Sequence, residues 1–365
     1  MSNDSNGIEG NLFALVMAGG RGTRFWPEST RRKPKQYLSL TGKEPLLTET
    51  LKRFDSLVAK EKRFIVTVKE QEDLARTAGK AHSHAESLIF EPSGRNTGPC
   101  ILLSLASLEK RGAKDEDVVA IVPSDHVILN TQGFRETVKA AAMTALNHQS
   151  IVTIGIRPHF PHTGYGYIQR KEEVSPGIFQ VEEFKEKPNR ETAEQYVGSG
   201  EYFWNAGMFV ATIKTLKEEF SKCSPEMYRY YDELLNNCEN EALLNETYNK
   251  LPEDSIDYAI MEKSNRVMVV EANFDWNDLG SWDALEGVAE AKKGNTMVGE
   301  RDSYIFESKG NIIFAPGKYV AVSGVNDLII VCNDNALVVM PKERSQEIKD
   351  IVSEIKKNKD LEDIL

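Results

Sequence analysis

Leu12-Phe-Ala-Leu-Val-Met17 is an unbroken apolar run that stops at a pair of glycines. Its length is that of a buried strand. Downstream, the apolar spacing alternates between two periods. Residues 46–58 carry a helical spacing, 64–68 a strand, 71–84 a helix and 88–90 a strand. Residues 97–110 again read as helix, 117–122 as strand, 131–147 as helix and 151–154 as strand. Strand-like spacing returns at 179–184 and 267–270. Repeated β-α alternation predicts an α/β fold, a parallel sheet with helices on both faces. Such sheets place ligands at the carboxyl ends of their strands, so the residue after each strand is a candidate.

Beyond Val298 the helical period disappears. Short apolar pieces recur at 311–314, 319–322, 328–331 and 336–340, separated by Gly, Asn, Asp and Pro. Closely spaced short strands in a small β-rich domain are the prediction. Residues 344–357 put Ile348, Ile351, Val352 and Ile355 on one helical face, which predicts a closing helix. The expected division is a disordered leader over 1–10, a catalytic domain over 11–292 and the small domain over 293–365.

The leader has neither a basic start nor an apolar core, so it does not read as a secretory signal. No apolar run approaches the length of a membrane-spanning helix. Cys100, Cys223, Cys238 and Cys332 match no zinc spacing and are too sparse for a disulfide framework. Reduced thiols and a cytoplasmic location follow as expectations, with no membrane partner.

Charge sharpens the search. The 365 residues carry a net charge of −11, with 40% hydrophobic and 28% charged residues. That composition is globular and speaks against broad nucleic-acid binding. An acidic protein that binds anions must concentrate its cations locally. Between positions 21 and 35 it does: Arg21, Arg24, Arg31, Arg32, Lys33 and Lys35 stand against a single acid, Glu28. This stretch begins in Ala18-Gly-Gly-Arg-Gly-Thr-Arg24, directly after the first strand. Glycines there allow backbone N–H groups to approach a phosphate closely. The loop lacks the Gly-Lys-Ser/Thr of a Walker A motif, and Phe25 occupies the place of the third glycine of a dinucleotide fingerprint.

Gly19-Gly-Arg-Gly-Thr-Arg24 with Pro27 and Pro34-Lys-Gln36 resembles the signature of the sugar-1-phosphate nucleotidyltransferases. Further segments resemble that family in order: Glu91-Pro-Ser-Gly-Arg-Asn-Thr97, Pro123-Ser-Asp-His126, Thr163-Gly-Tyr-Gly-Tyr-Ile168, Phe184-Lys-Glu-Lys-Pro188, Trp204-Asn-Ala-Gly-Met-Phe209 and Trp276-Asn-Asp-Leu-Gly-Ser-Trp282. Within the family the pattern is similar to the mannose-1-phosphate guanylyltransferases. The resemblance covers roughly residues 12 to 345. It implies a Rossmann-like nucleotidyltransferase domain with a mixed, mostly parallel sheet, and a small left-handed β-helix-like domain that often supports self-association, hence a homodimer. It implies GTP and mannose 1-phosphate as substrates, GDP-mannose and pyrophosphate as products, and Mg2+ as cofactor.

The resemblance assigns Arg24 and Lys35 to the triphosphate and Lys187 to the sugar phosphate. Ala18, Gly19, Gly20, Gly22 and Thr23 would form the nucleotide cradle, with Glu91, Asn96 and Thr97 at the base. Asn96 could instead cap the following helix. Gly166, Glu186 and Asn205 join Lys187 as the sugar-phosphate set. Asp125 and Asp278 would hold the metal, since two hard carboxylates suit magnesium shared with substrate phosphates. A nucleotidyltransferase for a heptose or glucose phosphate, and a non-catalytic sugar-nucleotide sensor, are the alternatives.

Overall fold

A computed structural model describes residues 10–20, 22–42 and 44–365. The expectations for residues 1–9 and for Arg21 lie outside the described residues. By internal contacts the chain divides into two compact units.

Of the described residues, the first unit comprises 10–19, Leu51–Pro123 and Ile128–Trp276. Its frame is a nine-stranded sheet in the order β3-β2-β1-β4-β8-β5-β9-β7-β6. The strands are β1 (Leu12–Met17), β2 (Arg63–Val68), β3 (Leu88–Glu91), β4 (Val118–Pro123), β5 (Ile151–Ile156), β6 (Gly166–Ser175), β7 (Ile178–Glu186), β8 (Tyr202–Thr212) and β9 (Val267–Glu271). Seven of the nine share one direction, and β7 and β8 run against them. The sheet is therefore mixed and mostly parallel. Val16 of β1 pairs with Ile65 of β2 on one side and Val122 of β4 on the other. Leu12, Ala14, Leu15 and Val16 have no exposed surface. Burial on both faces is why β1 reads as a continuous apolar run rather than an alternating one.

The helix Thr97–Lys110 is buried from Gly98 to Leu108. A chain of helices between β8 and β9, Ile213–Cys223, Pro225–Tyr228, Tyr231–Asn237 and Glu241–Tyr248, adds Phe220, Met227, Tyr231, Leu234 and Tyr248 to the same core. Two predicted helices are shorter than expected. The first spans Leu46–Arg53, because Ser56 adopts a left-handed conformation (φ 63°) that an α-helix does not admit. The second spans Glu72–Gly79, beyond which the chain tightens into a turn with the His82 amide donating to the Gly79 carbonyl at 2.9 Å, three residues back.

The second unit comprises Gly20–Thr50, Ser124–Val127 and Asn277–Leu365. It holds β10 (Ala291–Lys292), β11 (Asn295–Val298), β12 (Asp302–Phe306), β13 (Ile312–Phe314), β14 (Tyr319–Ser323), β15 (Leu328–Cys332) and β16 (Leu337–Pro341). Parallel ladders join β11 to β13 to β15 and β12 to β14, so successive coils stack as a β-helix. Buried Asn311 sets the corner between coils. Its amide donates to Asn295 Oδ1 at 2.8 Å and to the Val325 carbonyl at 2.9 Å. Antiparallel β16 covers β15. The closing helix differs from the prediction. Residues Lys342–Glu347 form a tighter 3₁₀ turn, and the α-helix spans only Ile348–Ile355. Ile348 and Val352 are buried, whereas Ile351 is 37% exposed. Residues 20–50 pack into this unit: the Trp26 indole donates to the Ile364 carbonyl at 2.7 Å, and the Arg31 amide to that of Leu365 at 2.9 Å. None of the four cysteines forms a disulfide.

Candidate functional site

In the second unit Gly22, Arg24 and Lys35 meet both predicted metal aspartates. Val127 and Asn277 exchange two backbone hydrogen bonds, of 2.8 and 3.0 Å. This bridge brings the turn carrying Asp125 beside the turn carrying Asp278. The Lys35 ammonium lies between them, donating to Asp125 Oδ2 at 2.9 Å and to the Asp278 carbonyl at 2.8 Å. Its side chain is only 6% exposed. Two of its three N–H groups are thereby used. Burial alone would raise the Asp125 carboxyl, but the charges of Lys35 and His126 outweigh it and hold the group below the usual carboxylate range.

Gly22 makes this approach possible. Its φ is +60°, and a Cβ there would lie 2.2 Å from the Lys35 Cβ. Thr23–Phe25 follows as a single 3₁₀ turn and leaves Arg24 exposed, with a long 3.4 Å bond to the Gly280 carbonyl. Thr23 and Gly20 are exposed as well. Arg31 turns away to Glu362 at 3.5 Å, a structural rather than a phosphate contact.

Among the described residues no three His, Cys, Asp or Glu side chains cluster as a complete metal cage. Asp125 and Asp278 nevertheless fit magnesium, which takes one or two carboxylates and completes its shell with water and substrate phosphate. The Asp278 carboxyl packs against Gly280, where a Cβ would lie 3.3 Å from Oδ2.

In the first unit the predicted sugar-phosphate residues also meet. Gly166 opens β6, opposite Glu186 at the end of β7. A Cβ on Gly166 would lie 2.4 Å from Glu186 Oε2, so a side chain there would displace the carboxylate from this position. Lys187 follows in a left-handed conformation (φ 49°) and its ammonium returns to Glu186 Oε1 at 2.8 Å. That hydrogen bond raises the Lys187 ammonium's pKa above the ordinary range. Glu186 is 12% exposed and Lys187 61%, which leaves the cation accessible to an anion. Asn205 on β8 takes hydrogen bonds on Oδ1 from Thr153 Oγ1 at 3.1 Å and from the Gly207 amide at 3.0 Å. Its Nδ2 donates to Asp257 Oδ1 at 3.0 Å.

The predicted base segment divides in role. Glu91 ends β3, is buried, and takes a 2.5 Å hydrogen bond from the Tyr248 hydroxyl on Oε1. Burial pushes its carboxyl upward, and the bonds from Tyr248 and Cys100 act against that shift. A Cβ on Gly19 would lie 3.0 Å from Glu91 Oε2, so the first loop glycine packs against this carboxylate. Asn96 caps the following helix, its Oδ1 accepting the Thr97 amide at 2.9 Å. The Thr97 hydroxyl accepts the Ile256 amide at 2.9 Å. Ala18 does not act as a cradle residue through its amide: that N–H is taken by the Val66 carbonyl at 2.7 Å, extending the β1–β2 ladder.

Asp257 and Tyr248 were not found from sequence. Asp257 is the one acid in the run Ser255-Ile-Asp-Tyr-Ala-Ile-Met261, a polar residue amid apolar neighbours, and that is the signal that could have marked it. Tyr248 carries no local signal, since its partner is 157 positions away.

A glycine loop beside a buried lysine that bonds the Asp125 carboxylate and the Asp278 carbonyl, and a carboxylate-lysine-amide cluster at strand ends, are each features of a phosphate-handling α/β enzyme. Residues 13–294 match the family described as nucleotidyl transferase, and residues 304–355 the mannose phosphate isomerase/GMP-like β-helix domain. The chain belongs to the nucleotidyl transferase family. A Klebsiella pneumoniae mannose-1-phosphate guanylyltransferase is 36% identical over 355 residues, covering 95% of this chain and 74% of that protein. The Pseudomonas aeruginosa alginate biosynthesis protein AlgA is 34% identical over 94% of this chain and 72% of its own length. A crystal structure from Thermus thermophilus, described as a mannose-1-phosphate geranyltransferase, superposes with a TM-score of 0.86 at 33% identity, over 95% of this chain and 99% of that one.

Proposed function

We propose that this protein transfers the guanylyl group of GTP to mannose 1-phosphate, giving GDP-mannose and pyrophosphate. The observation that carries the reading is the Lys35 ammonium held between Asp125 and Asp278, beside a glycine loop. The name of the Klebsiella relative supports the choice of sugar and base.

A phosphate oxygen of mannose 1-phosphate forms a bond to the α-phosphorus as the bond to the bridging oxygen of pyrophosphate breaks. The second pKa of a phosphomonoester is near 6, so the nucleophile arrives deprotonated at neutral pH and needs no general base. The task is to bring anions together and to stabilise the charge growing on the leaving group. Arg24 binds phosphate oxygens in a bidentate fork, and Lys35 adds a fixed positive charge. Lys187 binds the sugar phosphate, Glu186 and Asn205 orient sugar hydroxyls, and Glu91 receives the donor edge of guanine. Asp125 and Asp278 are the residues that would hold Mg2+, which when bound neutralises phosphate charge and aligns the two substrates.

The test is a pyrophosphate-release assay with several nucleotides and sugar 1-phosphates, with magnesium and with chelator. Turnover of GTP with mannose 1-phosphate, abolished by chelator, is the expected result. Turnover of a heptose or glucose phosphate in its place, or of no pair at all, overturns it. Lys35→Ala and Asp278→Ala should each lower kcat by about 10²-fold or more, the scale of removing one transition-state charge partner. The protein is further proposed to act in the cytoplasm as a homodimer, without nucleic-acid or membrane partners. A light-scattering mass near the single chain's 41.0 kDa removes the dimer.

A further inference from the structure

The segment that follows Tyr248 binds to the base-side residues at several points. The Arg95 guanidinium donates to the Leu251 carbonyl at 2.8 Å, the Gly98 amide to that of Asp254 at 3.0 Å, and the Ile256 amide to the Thr97 hydroxyl. Asp257 comes next, at the start of a single π-turn over Asp257–Met261. Ala259, Ile260 and Met261 in that turn are buried in the core, so the backbone carrying Asp257 is fixed on both sides. Turns of this kind recur at functional sites.

The Asn205 amide is the group Asp257 touches. Thr153 and Gly207 both donate to its oxygen, and Asp257 accepts from its nitrogen. The Gly207 N–H and the Asp257 carboxylate set the orientation of the amide, because a flipped amide would face that N–H with a donor and the carboxylate with an acceptor. One Nδ2 hydrogen remains beyond the bond to Asp257. The carboxylate also lies near Glu186 and Lys187, whose charges act on it in opposite directions. Placing two acids close together at a half-buried site is costly. A ligand with hydroxyl groups and a phosphate would use Glu186, Lys187 and the remaining N–H of the Asn205 amide that Asp257 holds.

We propose that Asp257 is a positioning residue for sugar-phosphate recognition: it locks the Asn205 amide so that its remaining N–H points to the ligand alongside Glu186 and Lys187. This rests on the reading of Gly166, Glu186, Lys187 and Asn205 as the sugar-phosphate set. Asp257 acts through Asn205 and takes no part in bond making.

Steady-state kinetics with mannose 1-phosphate and GTP tests the assignment on the full chain. Asp257→Ala should raise KM for the sugar phosphate about tenfold while KM for GTP stays within about twofold. Asp257→Asn keeps an acceptor oxygen for Asn205 and should restore KM for the sugar phosphate to within about threefold of the parent. An unchanged KM in Asp257→Ala, equal losses in both variants, or an equal rise in KM for GTP overturns the proposal. Lys187→Ala reads the underlying assignment separately. If it raises KM for the sugar phosphate and Asp257→Ala does not, the sugar site stands and the role of Asp257 falls. If Lys187→Ala leaves that KM unchanged, the site itself is wrongly placed. Circular dichroism checks folding, and Asp257→Ser, whose shorter side chain cannot span to Asn205, replaces Asp257→Ala if the latter does not fold.

Discussion

At the residue scale, the chemistry depends on where a backbone can come close. Gly22 is required twice over, by its left-handed φ of +60° and by the 2.2 Å that would separate a Cβ there from the Lys35 Cβ. A left-handed conformation costs a non-glycine residue roughly 1–2 kcal/mol, but the clash is the larger penalty because both atoms are close to the backbone. The exposed turn can relax by moving Lys35 away from Asp125 and Asp278. Gly22→Ala should therefore lower kcat at least tenfold while the far-UV circular dichroism spectrum stays unchanged. A variant with the parent's kcat would mean that Lys35 does not need this position. Gly166 is less demanding, because a Cβ there would meet the mobile end of Glu186 and shift its carboxylate rather than the backbone.

At the element scale, the base segment is organised by a partner distant in sequence. Tyr248 is the last residue of the helix Glu241–Tyr248, and its hydroxyl orients the Glu91 carboxylate at the end of β3. Hydrogen bonds to charged groups contribute about 1.5–3 kcal/mol, so losing this one should be measurable in nucleotide binding. Tyr248→Phe keeps the buried ring and removes only the hydroxyl. It should raise KM for GTP about tenfold and leave KM for the sugar phosphate unchanged; equal effects on both, or on neither, would detach Glu91 from the base. The same comparison of elements marks what the chain discloses by itself. Strands buried on both faces, such as β1 and β4, are legible because their apolar runs are unbroken. The residues after them, Gly19 and Asp125, follow from the sheet rule. Strand β12 is not legible, since only Ile305 of its five residues is buried and the outer face carries Asp302, Tyr304 and Phe306. Ile351 misleads for the opposite reason: the 3₁₀ turn over Lys342–Glu347 shortens the helix, and its face is set by Ile348 and Val352. Tyr248 is invisible to local pattern because its partner, Glu91, lies on a strand distant in sequence, and Asp257 shows only as an acid in an apolar run, with nothing local to name Asn205 as its partner.

At the scale of the whole molecule, a net charge of −11 makes each acid withdrawn from solvent unfavourable, yet the candidate sites keep Glu91 buried and Asp257 half-buried. Burial and the neighbouring Glu186 push the Asp257 carboxyl up to about 6, while Asn205 and Lys187 pull it down. In the unfolded chain an aspartate titrates near 3.9. Between these values the folded protein binds more protons than the unfolded one, so this group lowers stability as pH rises from about 4 to about 6, and the loss then stays constant. Asp257→Asn removes the charge and with it that slope. The variant should melt about 3 °C above the parent at pH 8, a shift worth roughly 1 kcal/mol for a domain of this size. At pH 4.5 the gap should have narrowed, and it should close only below about pH 4, where Asp257 is protonated in the folded and the unfolded parent alike. Measuring both proteins across this range cancels every other titrating group they share, Glu91 included. A stabilising substitution here would mean that the fold tolerates this acid for the Asn205 amide it orients. A variant less stable than the parent at pH 8 would mean instead that the charged bond to Asn205 outweighs the desolvation of Asp257.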